Sequence, residues 1–202
     1  MPVMPVQPLQ TGPRFRHPDN RKRFTQTEFV RMMELGLLDG QRLELVDGDL
    51  IDKMGQNPPH ATAIQRLTRW LAKTFGLDLV RAQLPIQVAG TDREFTLPEP
   101  DFAVVREDKA DYANRHPSGT ELLLVVEIAD SSIQIDRTVK PSLYARAGIP
   151  EYWVLDIPGQ RMIVHRHPAQ GEYTDIGVVD AMGSMAPESM PTQTVSVQSL
   201  LP

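Results

Sequence analysis

Four residues of this chain combine a reactive side chain with an unusual setting: Glu44, Asp101, Glu127 and Lys140. Glu127 closes the run from Leu122 to Val126, the most apolar stretch in the sequence. A carboxylate beside a buried apolar strand costs free energy unless it is paired, hydrogen-bonded or bound to a metal. Asp101 follows Glu99-Pro100 at the start of "DFAVV", and Glu44 lies in "RLELVDGDL". If neighbouring strands bring these acids together, one takes up a proton unless a cation lies between them. Hard oxygen ligands on a dry scaffold favour Mg²⁺, with Mn²⁺ as a substitute. Such an ion activates water as a nucleophile and stabilises charge on a phosphate, and Lys140 could add a second positive charge there.

Simpler readings stand beside each residue. Asp136 precedes Lys140 by four positions, the favoured order for a helical ion pair on a surface. Glu44 alternates with Leu43 and Leu45, which turns it to solvent if the leucines face a core. His60 follows Pro58-Pro59 at a helix start, where it either caps the helix or faces a site as a base or phosphate contact. His165 and His167 are two apart on a surface strand, with no third ligand near. Ser131 and Ser132 lack the flanking glycines of a nucleophile elbow and read as turn or capping hydroxyls. Glu127 alone resists a bland account.

The elements that must position these side chains are legible in outline. "FTQTEFVRMMELGLL" reads as a helix with Thr25 as N-cap and Glu28 completing a capping box. Asp47-Gly48 marks a two-residue hairpin turn. "HATAIQRLTRWLAKTFG" is an amphipathic helix with Ile64, Leu67, Leu71 and Phe75 on one side and Gly76 as its stop. Strand-like pieces follow in "LDLVRAQLPIQVAG", "DFAVV" and Leu122 to Glu127, with a polar loop at 106–120. "PSLYARAG" is a short helix with Pro141 in its first turn and Thr138 as its cap. "EYWVLD" and "RMIVHRH" form a hairpin around Pro158-Gly159, "GEYTDIGVV" is a further strand, and the tail ends in the alternating "TVSVQSLLP". This order predicts an α/β (α+β) domain with a mixed central sheet flanked by helices.

The bulk properties narrow the class. With 202 residues, 41% hydrophobic and 23% charged, the chain suits one soluble domain with a tail. It has no cysteine, which excludes disulfides and thiolate sites. No apolar stretch reaches membrane-spanning length, and the proline-broken start is not a signal peptide, so a cytoplasmic protein without membrane contact is expected. Residues 1–23 read as a disordered, proline-rich arm and 24–202 as the single folded domain. The net charge is −5, yet residues 14–23 carry Arg14, Arg16, Arg21, Lys22 and Arg23 against one Asp19. An acidic body thus bears a basic arm, either a solvated tail or a contact for phosphate.

The segments "RLELVDGDLI", "PEPDFAVV" and "LLLVVEIADSSIQIDRTVKPSLYARAGIPEYWVLD", with the tail, resemble the Uma2 family, also called DUF820. The resemblance covers roughly residues 24–202. It implies a restriction-endonuclease-like core of the PD-(D/E)xK nuclease superfamily with extra β-hairpins. By position, Asp101 matches the Asp of the "PD" element, Glu127 the acidic residue of the second element, and Glu44 the acidic residue contributed early in the chain. The superfamily lysine would lie two residues after Glu127, where this chain has Ala129, so the resemblance implies that Lys140 takes its role.

The combined expectation is an endonuclease that cuts DNA with Mg²⁺ or Mn²⁺. Glu44, Asp101, Glu127 and Lys140 would be catalytic, the three acids as metal ligands. His60, Arg14, Arg16, Arg21, Lys22 and Arg23 are candidate substrate contacts. A homodimer follows if both strands are cut, because one chain offers one site. The alternative is an inactive nuclease-like scaffold that binds nucleic acid or a protein partner. A two-carboxylate glycosidase is disfavoured because Trp70 and Trp153 give few aromatic platforms for a sugar.

Overall fold

A computed structural model of the chain describes residues 21–53, 57–130, 136 and 138–202. Arg14, Arg16, Ser131 and Ser132 lie outside the described residues. The first helix, α1 (Gln26–Glu34), starts as its spacing predicts: the Thr25 hydroxyl accepts from Glu28 N, and the Glu28 carboxylate accepts from Thr25 N. β1 (Leu43–Val46) and β2 (Asp49–Asp52) pair antiparallel across Asp47-Gly48. Both turn residues have positive φ, 50° and 84°, the conformation that two-residue hairpins require. α2 (Pro58–Phe75) buries Ala63, Leu67, Leu71 and Phe75 along one stripe. Its cap is Asn57, whose side chain accepts from His60 N at 3.0 Å, so His60 is not the capping residue.

The rest of the chain builds a six-stranded sheet. β3 (Val80–Ala82), β4 (Phe102–Val105), β5 (Leu122–Ala129), β6 (Glu151–Asp156), β7 (Arg161–Ala169) and β8 (Glu172–Asp180) lie side by side in chain order. All neighbours are antiparallel except β5 and β6, which are parallel. Parallel neighbours need a crossover, and this one contains α4 (Lys140–Arg146). The short helix α3 (Asp92–Phe95) precedes β4. α2 covers one face of the sheet, where Leu67 and Leu71 join Phe102, Leu124, Val126 and Trp153. α4 covers the other, where Leu143 and Tyr144 join Val125, Tyr152 and Ile163. β5 is thereby covered on both sides, which explains its unbroken apolar run. Burying each of its Val and Leu side chains contributes roughly 1.5–3 kcal/mol, enough to hold a strand that ends in a charge.

Some local expectations shift. "LDLVRAQLPIQVAG" gives only three residues of strand, because Gln83 adopts φ 52° and turns the chain away from the sheet. Val139, not Thr138, occupies the N-cap position of α4, while Pro141 sits in the first turn as predicted. His165 is buried and stacks on Tyr152 with ring centroids 5.3 Å apart, so it is no surface residue. The tail forms β9 (Ser184–Met185), β10 (Val195–Ser196) and one turn of helix, α5 (Val197–Leu200).

The β1–β2 turn should respond sharply to a side chain. A Cβ at Gly48 would lie 2.6 Å from Cβ of Arg23, at a φ that L-residues rarely adopt. Gly48→Ala is expected to lower stability by about 1–2 kcal/mol in urea unfolding.

Candidate active site

The register of two strands sets the first half of the site. Phe102 pairs with Val126, which places Asp101 beside Glu127 at the same end of the sheet. Asp101 N donates to Glu127 Oε2 at 3.2 Å, and Ile128 N donates to Asp101 Oδ2 at 2.9 Å. Each acid is thus clamped by the other's strand. Glu44 arrives from β1. Leu45 bridges Leu97, and Glu99 N then donates to Glu44 Oε2 at 3.1 Å. Glu44 is only 3% exposed, so the solvent-facing reading is corrected. A period of two sends Glu44 to the opposite side from its leucines, and that side faces the site.

Lys140 joins the acids together. Its Nζ lies 2.9 Å from Glu44 Oε1, 2.8 Å from Glu127 Oε1 and 3.2 Å from Asp136 Oδ1. The Asp136–Lys140 pair is present, but it is buried and shared with two further carboxylates, not a surface pair. Tyr144, one turn beyond Lys140 on α4, donates its hydroxyl to the same Glu127 Oε1 at 3.0 Å. Tyr152 OH donates to the carbonyl of Asp136 at 2.8 Å. Sequence reasoning missed Tyr144 and the place of Asp136, although Tyr144 stands four residues after Lys140 and so on the same helix face.

A ring of polar side chains surrounds this cluster. His60 Nε2 lies 3.4 Å from Asp101 Oδ2, while its buried Nδ1 has no hydrogen-bond partner among the described residues. Lys53, at the end of β2, donates to the carbonyl of Glu99 and lies 3.5 Å from Glu99 Oε1. The described basic residues of the arm, Arg21, Lys22 and Arg23, are elsewhere. Arg21 lies 3.5 Å from Asp49, Lys22 donates to Glu28 at 2.7 Å, and Arg23 pairs with Asp47 beneath the hairpin turn. The Arg23 guanidinium also sits 4.1 Å from the Phe95 ring centroid. His60 is therefore at the site, whereas Arg21, Lys22 and Arg23 are held against α1 and the hairpin.

Charge does not balance inside the cluster. Burial drives the Glu127 carboxyl up to about 8, with Asp136, Asp101 and Glu44 adding to the rise and Lys140 opposing it. Burial disfavours the Lys140 ammonium, but Glu127 and Glu44 outweigh it and hold its pKa well above the ordinary value. Burial also opposes ionisation of Asp101, yet His60, Lys53 and the Ile128 amide hold it below the usual carboxylate range. Tyr144 is pushed up by burial and by Glu127, so it remains a hydrogen-bond donor. One buried ammonium faces Glu44, Glu127 and Asp136, while Asp101 lies beside His60.

The donor set is of the oxygen-rich type that a hard divalent cation takes. It consists of carboxylate oxygens in negative excess, and Asp101 Oδ1 accepts no hydrogen bond among the described residues. Among the described residues no three acidic or histidine side chains form an open metal-ligand group. Lys140 Nζ lies between Glu44 and Glu127 instead.

A family model, Uma2, described as "Putative restriction endonuclease", matches residues 27–198. The chain belongs to the Uma2 family. A crystal structure from Anabaena variabilis ATCC 29413, described as "a putative nuclease belonging to DUF820", is similar in fold. The TM-score is 0.68 at 17% identity, covering 88% of this chain and 97% of that one. No curated protein matches this Uma2 chain. Among the described residues no helix is long and apolar enough to cross a membrane.

The electrostatics of this Uma2 site make a prediction for stability. Between its unfolded value of 4.5 and its folded value near 8, Glu127 binds a proton more tightly when folded. Its contribution is therefore complete below about pH 4.5 and is lost as pH rises towards about 8. His116 and His165, whose pKa values burial lowers, act in the opposite sense below 6.5. The difference between variants isolates the contribution of Glu127. In chelator, the melting temperature of Glu127→Gln relative to wild type should rise steadily from about pH 5 to about pH 8. A difference independent of pH would overturn this account.

Proposed function

We propose that this protein is a metal-dependent nuclease of the PD-(D/E)xK kind that hydrolyses phosphodiester bonds in DNA. The observation that carries this reading is the convergence of Glu44, Asp101, Glu127 and Lys140 in one buried, negatively charged cluster. They come from β1, the start of β4, the end of β5 and the start of α4. Asp101, Glu127 and Glu44 would hold Mg²⁺ or Mn²⁺, which supplies an acidified water and charge stabilisation on the phosphate. Lys140 places a fixed positive charge beside these acids, suited to stabilising the attacking hydroxide and the negative charge that develops on phosphorus oxygens. Tyr144 and the Asp101 amide fix both oxygens of Glu127, so the carboxylate is oriented before substrate arrives. His60 borders Asp101 and is a candidate contact for the phosphate. Cutting both strands would call for two copies, and a homodimer belongs to this proposal.

A second reading has its own observation. Lys140 already neutralises part of the cage that a metal would occupy, as expected of a scaffold that binds nucleic acid or a protein partner without cutting. One set of measurements separates the two. Supercoiled plasmid incubated with Mn²⁺ or Mg²⁺ should be nicked or linearised by the wild type. Asp101→Asn and Glu127→Gln should each reduce the rate at least about a hundredfold. Cleavage that survives both substitutions removes the proposed site. Calorimetry that detects no Mn²⁺ binding, together with an intact plasmid, favours the scaffold.

A further inference from the structure

A second polar recess lies away from the carboxylate cluster. β4 and β5 run antiparallel, with Phe102 opposite Val126 at the Glu127 end and Val105 opposite Leu122 at the other. The loop joining them therefore opens roughly 17 Å of strand away from Glu127, at about 3.4 Å per residue. There Gln87, Arg93, Tyr112, Arg115, His116 and Ser118 line a pocket of about 520 Å³. Sites for small ligands commonly span ~300–1,000 Å³.

Two features mark this pocket as a binding site. First, seven buried side-chain polar atoms among the described residues lack a hydrogen-bond partner, and four of them gather here. They are Gln87 Oε1, Tyr112 OH, His116 Nδ1 and, behind the Tyr112 ring at 5.3 Å, Arg81 Nε. Buried polar atoms in native folds nearly always have a partner, so a cluster of orphans marks a place where one is supplied from outside. Second, the charges are unequally committed. Arg115 binds Asp111 and Glu121, and Lys109 also binds Glu121. Arg81 and Arg93 have no carboxylate partner among the described residues, in a chain of net charge −5.

The chemistry of these groups describes the ligand. The uncommitted guanidinium of Arg93 in the pocket, with that of Arg81 behind Tyr112, calls for an anion. Gln87 Oε1 needs a donor, so the ligand must also carry hydroxyl or amide hydrogens. Burial and the nearby charge of Arg81 hold the pKa of His116 down, which leaves a neutral imidazole with one donor and one acceptor. Arg81 and Arg115 sit 5.3 and 5.1 Å from the Tyr112 ring centroid, so that ring is taken by cations and its hydroxyl is what it offers.

We propose that this pocket binds a phosphate monoester attached to a hydroxyl- or amide-bearing group, as in a nucleotide or a sugar phosphate. Arg93 meets the phosphate, with the charge of Arg81 behind the Tyr112 ring adding to the attraction, while Gln87, Tyr112 and His116 meet the polar edge. The inference is independent of the nuclease reading. Calorimetric titration of the full chain at low salt, using deoxyadenosine monophosphate, ribose phosphate and inorganic phosphate separately, tests it. At least one of the two esters should bind about tenfold or more tightly than inorganic phosphate, and which of them does so identifies the source. Arg93→Ala, at an exposed position, and the isosteric Tyr112→Phe should each weaken binding about tenfold, with unchanged melting temperatures. Glu127→Gln should leave it intact. Three results would overturn the proposal: no binding of either ester at about 5 mM, binding indifferent to both pocket substitutions, or binding lost with Glu127→Gln.

Discussion

The Lys140 ammonium is the interaction on which the rest of this structure depends. It sits within 3.2 Å of carboxylate oxygens from Glu44, Glu127 and Asp136, in a region with almost no solvent exposure. Taking one such ion out of water costs several kcal/mol, and leaving it unpaired typically costs about 3–5 kcal/mol more than keeping the pair. Only a scaffold that brings β1, β5 and α4 to a single point can satisfy it. The ion cluster therefore acts as a register lock: a slip of any of these elements strands a charge.

Two architectural features meet that demand. The single parallel pairing, β5 with β6, forces a crossover on one face of the sheet, and α4 in that crossover carries Lys140 and Tyr144 back over the end of β5. The antiparallel pairing of β4 with β5 puts Asp101 and Glu127 side by side, each accepting an amide hydrogen from the other strand. The outer hairpin of β1 and β2 is tied in through Leu45 and Leu97 and delivers Glu44. One ammonium is shared by the carboxylates of Glu44, Glu127 and Asp136, and burial in this crowd of acids raises the pKa of Glu127.

The two polar regions of the molecule differ in kind. At the Glu127 end the acidic groups are over-committed, sharing one lysine and bracing each other. At the opposite end of β4 and β5 the imbalance is reversed, with Arg81, Arg93 and neutral polar atoms that find too few partners among the described residues.

Local signals in the sequence determined a good deal by themselves. The Thr25–Glu28 capping box, the Asp47-Gly48 turn and the apolar stripe of α2 are short-range effects, settled by backbone sterics and helical spacing. The continuous run from Leu122 announced a doubly covered strand, and the charge at its end announced a site. The tertiary structure alone decided what those charges meet. A period-two pattern shows that Glu44 opposes Leu43 and Leu45, but which side is wet depends on the segment packed against β1. Four-residue spacing pairs Asp136 with Lys140, but only the crossover buries that pair and adds Glu44, Glu127 and Tyr144 to it. Spacing along a chain sets neighbours within an element; burial and charge balance arise between elements, and in this protein they make the site.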